Sequence, residues 1–256
     1  MKLGFIGFGN MSMAMVEGLK ASKKFNMENI YASAQNKEKL KNNCEKLKIN
    51  ATKDNQDCID KSDLIFIGVK PESLHTLNLD FKGKPVISMA AKTNFESLET
   101  FFGPQNFYRI MPNLNVKQNM GVIALSHQYE KNLELYYTLS LLGHVYEMEE
   151  HMISGFIALA GSSPALMYRF IDALSDAVLD EGFTKQEALE IVSYTMMGSA
   201  QTVLNAKESP KTLVEKVSSK GGTTIEGLKV FDDYHFEDTM KKAARAIIDK
   251  DKMGMF

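Results

Sequence analysis

The chain has 256 residues, 44% of them hydrophobic and 24% charged, with a formal net charge of -2. Such values describe a globular chain of one large or two modest domains, and they offer nothing to a nucleic acid or a charged membrane surface. Cys44 and Cys58 lack CxxC spacing and the five histidines are scattered, so free thiols and no metal site are expected.

The N-terminus passes from Met1-Lys2 straight into a strand-like run without signal-peptide features. No apolar stretch approaches the roughly 18 residues of a membrane span, so a cytoplasmic location is expected. The first 150 residues alternate short apolar runs with helical patterns, the mark of βαβ units and a mostly parallel sheet. Strands are expected at Leu3–Ile6, Ile30–Ser33, Asp63–Val69, Pro85–Ala90, Phe107–Met111, Gly121–Ser126 and His144–Glu147. Helical patterns such as Asn10–Lys23 and Lys37–Leu47 lie between them. The run Leu64–Val69 is apolar throughout, as a central strand covered on both faces should be.

After His151 the strand patterns stop. Ser163-Pro164 and Ser209-Pro210 each read as an N-cap followed by a proline at the first helical position. Thr184 with Glu187 reads as a capping box, and Gly182 as the residue ending the helix before it. The helix expected at Ala165–Glu181 carries Leu166, Phe170, Ile171, Leu174, Val178 and Leu179, a stripe too broad for one neighbour. The fold class is therefore α/β, with an N-terminal Rossmann-type doubly wound sheet (residues 1–150) and an all-helical C-terminal dimerisation domain (residues 151–256). Helices this apolar need a partner, so a homodimer is expected.

Residues Gly7-Phe8-Gly9-Asn10-Met11-Ser12 follow the first strand and open the first helix, in the position of a GxGxxG loop with serine for the third glycine. The first glycine permits a tight turn, the second lets backbone approach a pyrophosphate, and the helix N-terminus faces the phosphates. The second strand runs out into Ser33-Ala34-Gln35-Asn36-Lys37 with no acid before Glu38. An NAD-selective site usually places Asp or Glu there, so polar residues plus Lys37 favour NADPH, with NADH as the second option. Val69-Lys70-Pro71, with Pro71 opening the next helix, and Arg109-Ile110-Met111-Pro112-Asn113 end later strands at the edge where ligands bind.

Taken together, Ile6–Met11, Val69-Lys70-Pro71, Arg109-x-Met111-Pro112-Asn113 and Ala158–Ala165 resemble, in order, the signatures of pyrroline-5-carboxylate reductases. The most specific match is Val217–Leu228, similar to that family's C-terminal signature. Departures are Ser12, Lys92 and Ser163 for usual glycines, Leu114-Asn115 for Thr-Pro, and Lys220 for the proline before Gly221-Gly222. The resemblance implies hydride transfer from NAD(P)H to the C=N bond of 1-pyrroline-5-carboxylate, giving L-proline in the last step of its biosynthesis. It implies a cofactor set of Ile6, Gly7, Phe8, Gly9, Asn10, Met11, Ser33, Gln35, Asn36, Asn55, Val69, Lys70, Pro71, Ala90 and Ala91. The substrate carboxylate is then held by Ser219, Gly221, Gly222, Thr223 and Thr224, with the Thr224 hydroxyl near the ring nitrogen as the catalytic group. It further implies dimers with interleaved helical domains, open to higher assembly.

The residues alone also allow a plain capped helix start, because Thr223 and Glu226 have capping-box spacing. Two other functions remain open: a dehydrogenase of the 3-hydroxyacid or 6-phosphogluconate type, and a non-catalytic NADPH-binding dimeric protein. The first resembles enzymes with a lysine on the helix after the hinge, and Ser163–Glu181 contains none.

Overall fold

A computed structural model describes residues 1–253, and the chain divides into two units. The first comprises residues 1–162 together with the described residues from Ile247 onward, and the second is Ser163–Ala246.

The first unit is built on an eight-stranded sheet in the order β3-β2-β1-β4-β5-β6-β7-β8. The strands are β1 (Leu3–Ile6), β2 (Ile30–Ser33), β3 (Asn50–Ala51), β4 (Leu64–Ile67), β5 (Val86–Ser88), β6 (Phe107–Pro112), β7 (Gly121–His127) and β8 (Gly143–Glu147). All neighbours pair parallel except β6 and β7, which run antiparallel. The helices between them are α1 (Asn10–Ser22), α2 (Lys37–Leu47), α3 (Asn55–Asp60), α4 (Phe95–Phe102) and α5 (Leu133–Ser140). The two-residue strand β3 was not foreseen, because Asn50 and Ala51 carry no alternating pattern and pair only with Tyr31 and Ala32.

Strand periodicity divides the core into two layers. Leu3, Phe5, Leu64 and Phe66 point to one face, where they meet Met15 and Leu19 of α1 and Leu40 and Leu47 of α2. Ile6, Ile65 and Ile67 point to the other and meet Cys58 and Ile59 of α3 and Phe95 and Leu98 of α4. Phe5 and Phe66 stack across neighbouring strands with centroids 4.8 Å apart. A strand covered on both faces must be apolar at every position, which is what the Leu64–Ile67 segment shows.

Both cysteines are buried in these layers. Burial pushes the Cys44 thiol up to about 11 and the Cys58 thiol up to about 12, so both stay protonated and unreactive. A thiol-specific reagent at about pH 8 should label neither in the folded protein and both in denaturant. Rapid labelling of either in the native state would contradict this burial.

The chain leaves β8 through α6 (Ile153–Phe156) and a π-helical turn, Ile157–Gly161, closed by a bond from the Ser162 N–H to the Ile157 carbonyl at 2.8 Å. α7 (Ser163–Asp176) begins at Ser163 itself, one residue before the expected first helical position at Pro164. Pro164 has no N–H to give the carbonyl four residues earlier, and the Asn113 Nδ2 donates to that Ala160 oxygen instead at 3.1 Å. Asn113 Oδ1 accepts the Val122 N–H at 3.2 Å, tying the end of β6 to β7 and to the π turn.

The second unit holds α7, α8 (Lys185–Asn205), α9 (Pro210–Val217), α10 (Thr223–Asp233) and most of α11 (Phe236–Lys252). The helix expected to run to Glu181 stops at Asp176, and Leu179–Glu181 is a separate 3-10 turn. At this end Lys185 Nζ donates to the Asp172 carbonyl at 3.1 Å and to the Asp172 and Asp176 carboxylates at 2.7 and 2.6 Å, placing a cation beside the last turn of the helix. Gly182 ends the turn at φ 94°, and the Thr184–Glu187 capping box is formed. Ser209 caps α9 ahead of Pro210, its Oγ accepting the Thr212 N–H at 3.2 Å. Within this unit only Ser175 and Ala188 are buried, while Phe170, Leu174, Ile191, Tyr194, Leu204 and Tyr234 stand exposed. Among the described residues no helix is long and apolar enough to cross a membrane, and no acid, histidine or cysteine cluster could hold a metal.

Candidate active site

The chain runs outward from β1 to β2 and β3, then returns to the other side of β1 as β4. This reversal opens a crevice at the carboxyl ends of β1, β2 and β4, where ligands bind in such sheets. A cavity of about 430 Å³ lies there, lined by Gly7–Gly9, Ala34–Asn36, Lys39, Leu40, Asn55, Gly68–Lys70, Ser73, Thr76 and Leu77.

Gly7 makes the turn after β1 with φ 87°, and a Cβ there would stand 2.7 Å from the Val69 backbone nitrogen. Only glycine permits that approach of backbone to backbone. Gly9 is the N-cap of α1, makes no side-chain bond, and a Cβ on it would meet nothing within 4 Å. The space beside Gly9 is thus open, next to the unpaired N–H groups of the first turn of α1, which is the cradle a pyrophosphate fits. Ser12, in the third glycine position, is buried and donates its Oγ to the Gly7 carbonyl at 2.7 Å. The serine therefore fastens the loop rather than crowding it.

Of the expected cofactor residues, Gly7, Phe8, Gly9, Gln35, Asn36, Asn55, Val69 and Lys70 line the cavity. The others stand around it. Ile6 is buried in the core beneath the loop, and Asn10 and Met11 form the first turn of α1. Ser33 is buried at the end of β2 and donates to Asn55 Oδ1 at 2.7 Å, orienting that amide. Pro71 opens the 3-10 turn Pro71–Thr76, with Lys70 as its N-cap. Ala90 and Ala91 follow β5 along the same carboxyl edge, Ala90 buried and the Ala91 carbonyl accepting Thr93 Oγ1 at 3.2 Å.

On the β2 side of the cavity the structure separates two lysines. Lys37 gives its Nζ to the Lys53 carbonyl at 2.7 Å and does not reach the cavity wall, whereas Lys39 does. Asn36 caps α2 by accepting the Lys39 N–H at 2.9 Å, which fixes the first turn and brings residue 39 to the same face. Ser73, Thr76 and Leu77 were also missed; the three-residue step of a 3-10 turn brings Ser73 and Thr76 to one side. The lining holds two lysines, Lys39 and Lys70, and no carboxylate.

In the second unit, Ser219-Lys220-Gly221-Gly222 forms a tight turn closed by the Gly222 N–H on the Ser219 carbonyl at 2.9 Å. Gly221 has φ 79°, the pattern of a type II turn, in which the position of Lys220 favours proline. The expected capping box is not formed. Gly222 is the N-cap of α10 with no side-chain bond, so Thr223 is already helical, and Glu226 pairs with Lys229 at 2.7 Å. The Thr223 and Thr224 side chains are exposed, and the first-turn N–H groups of α10 open onto the turn.

Both halves match known families. Residues 2–92 match the family model described as NADP oxidoreductase, coenzyme F420-dependent, and residues 150–253 match that for pyrroline-5-carboxylate reductase dimerisation. The pyrroline-5-carboxylate reductase of Aquifex aeolicus is 36% identical over 98% of this chain and 97% of its own length. The crystal structure of the 1-pyrroline-5-carboxylate reductase of Streptococcus pyogenes superposes with a TM-score of 0.90 at 36% identity, covering 99% of this chain and 98% of that one. The Plasmodium falciparum pyrroline carboxylate reductase with NADP bound shares the fold, with a TM-score of 0.89 at 24% identity over 100% of this chain and 98% of its own. With its sheet, its glycine loop and its helical half all matched along the full length, the chain belongs to the pyrroline-5-carboxylate reductase family.

Proposed function

We propose that the chain reduces the C=N bond of 1-pyrroline-5-carboxylate to L-proline with NADPH, the last step of proline biosynthesis. The observation that carries this reading is the Ser219–Gly222 turn leading into α10, which offers N–H donors and hydroxyls to a small carboxylate, with Glu226 of that first turn paired to Lys229. α7, where the competing dehydrogenases have a lysine, has none. Bound NADPH supplies the hydride from its nicotinamide ring. Residues 1–150 hold it, with Gly7, Gly9 and the first turn of α1 at the pyrophosphate and Ile6, Ser33, Asn55, Pro71, Ala90 and Ala91 supporting the walls. Residues 151–256 hold the substrate, with Ser219, Gly221, Gly222 and Thr223 at its carboxylate and Thr224 at the ring nitrogen. Positioning alone can contribute up to about 7–11 kcal/mol to such a reaction. The Thr224 hydroxyl is too weak an acid to deliver a proton freely, so it donates a hydrogen bond while solvent, or prior protonation of the imine, supplies the proton.

Enzyme mixed with NADPH and 1-pyrroline-5-carboxylate should oxidise the cofactor, followed by its absorbance. No oxidation, together with turnover of a 3-hydroxyacid, would replace this reading with the dehydrogenase. We place the enzyme in the cytoplasm and its helical half in a homodimer; a monomer by light scattering at micromolar concentration contradicts the latter.

Cofactor choice rests on Lys39. Lys39→Ala should raise KM for NADPH about tenfold, the loss of one charge-assisted bond, and leave KM for NADH unchanged. Lys37→Ala should leave both within about twofold, since its ammonium is held by Lys53. A wild-type KM lower for NADH than for NADPH overturns the preference.

A further inference from the structure

The first unit encloses a second cavity, of about 340 Å³, away from the nucleotide crevice. Lys92 from the segment after β5, Arg109 from β6, Glu150 and Ser154 beyond β8, and Asp251 and Lys252 from the end of α11 contribute to its wall. Both acids in the wall are hydrogen-bonded through one oxygen, and Lys92, Arg109 and Lys252 outnumber them. Glu150 Oε1 accepts both Arg109 Nη1 at 2.6 Å and the Phe95 N–H at 2.9 Å, and Asp251 Oδ2 accepts Ser154 Oγ at 2.7 Å.

Lys92 and Lys252 have no side-chain partner among the described residues, although both line this one space. Arg109 is 5% exposed, yet only Nη1 meets a protein acceptor, leaving most of its five N–H donors uncommitted. Arg109 stands in the cavity wall, and its other nitrogens are not among the buried polar atoms of the described residues left without a partner, so solvent reaches them. Lys92 also holds φ 59°, a left-handed conformation that is unfavourable for a residue with a Cβ and free for glycine. Strain of that kind collects at functional sites.

We propose that this cavity binds a small oxyanion, a phosphate or a carboxylate, between the ammonium groups of Lys92 and Lys252 and the uncommitted donors of Arg109. Guanidinium matches such an anion with paired N–H bonds, while the two lysines add point charges. Lys92 directly follows Ala90-Ala91, so an occupant here would stiffen the segment proposed to border the cofactor.

Inorganic phosphate, titrated into the full-length protein at ionic strength fixed with potassium chloride, should raise Tm saturably. In a Lys92→Gly, Lys252→Gln double variant the apparent affinity should fall about tenfold or more. Glycine relieves the strain at position 92, so the variant should fold at least as stably as the parent. Phosphate bound at the glycine loop contributes equally to both proteins and cancels in the comparison. Parent and variant with the same phosphate response, or a parent that responds no differently to phosphate than to chloride, overturn the proposal.

Discussion

Thr224→Ala is expected to lower kcat about tenfold to a thousandfold, the worth of one to three hydrogen bonds made in the transition state. The expectation is specific because the side chain does little else. Thr224 lies exposed in the first turn of α10, and Gly222 rather than a hydroxyl caps that helix. Loss of an exposed hydroxyl there should change stability by no more than about 0.5 kcal/mol, so circular dichroism and Tm should match the parent. Thr224→Ser should recover most of the turnover, because it keeps the donor. An unchanged kcat in the alanine variant would remove Thr224 from the mechanism.

Gly7→Ala should damage fold and cofactor site together. The left-handed φ of 87° costs an alanine about 1–2 kcal/mol. Forcing its Cβ against the Val69 backbone nitrogen, 2.7 Å away, adds about 1–3 kcal/mol of overpacking. The sum, about 2–5 kcal/mol, is a large fraction of a domain's stability and is measurable by denaturant unfolding. Gly9→Ala makes the contrast: its methyl meets no protein atom, so unfolding should change only by the about 0.5–1 kcal/mol that alanine costs at an N-cap, while NADPH affinity falls at least about tenfold. If both variants lost stability alike, the space beside Gly9 would not be open; if Gly9→Ala kept full affinity, the phosphates would lie elsewhere.

Much of this is legible in the sequence alone. The β1 and β2 boundaries, the apolar β4 and the caps at Thr184 and Ser209 follow from patterns of a few residues, and local chemistry decides them. What escaped depends on distant partners. β3 exists because Tyr31 and Ala32 offer an edge, and the Asp172 and Asp176 carboxylates in the last turn of α7 are met by Lys185, on the next helix. Pro164 correctly marks a change in helical hydrogen bonding, but the acceptor it releases is met by Asn113, roughly fifty residues earlier in the chain. Thr223 and Glu226 have capping-box spacing, yet Gly222 takes the cap and Glu226 prefers Lys229, a choice that spacing alone does not reveal. At the nucleotide site the loop glycines were readable and the lysine was not: Lys37 and Lys39 sit two apart on one helix, and only the Lys53 carbonyl decides which of them is free.

The sparse interior of Ser163–Ala246, where only Ser175 and Ala188 are buried, bears on how the protein is made as well as how it works. Five helices with so little core of their own cannot reach the stability of a domain by themselves. In the homodimer proposed above their order is completed by the partner's helices, which makes folding of this half a reaction whose order in protein exceeds one. Its thermal midpoint should therefore climb with protein concentration while that of the sheet does not. Dilution in a cell making little of the chain would then expose this half to proteolysis first.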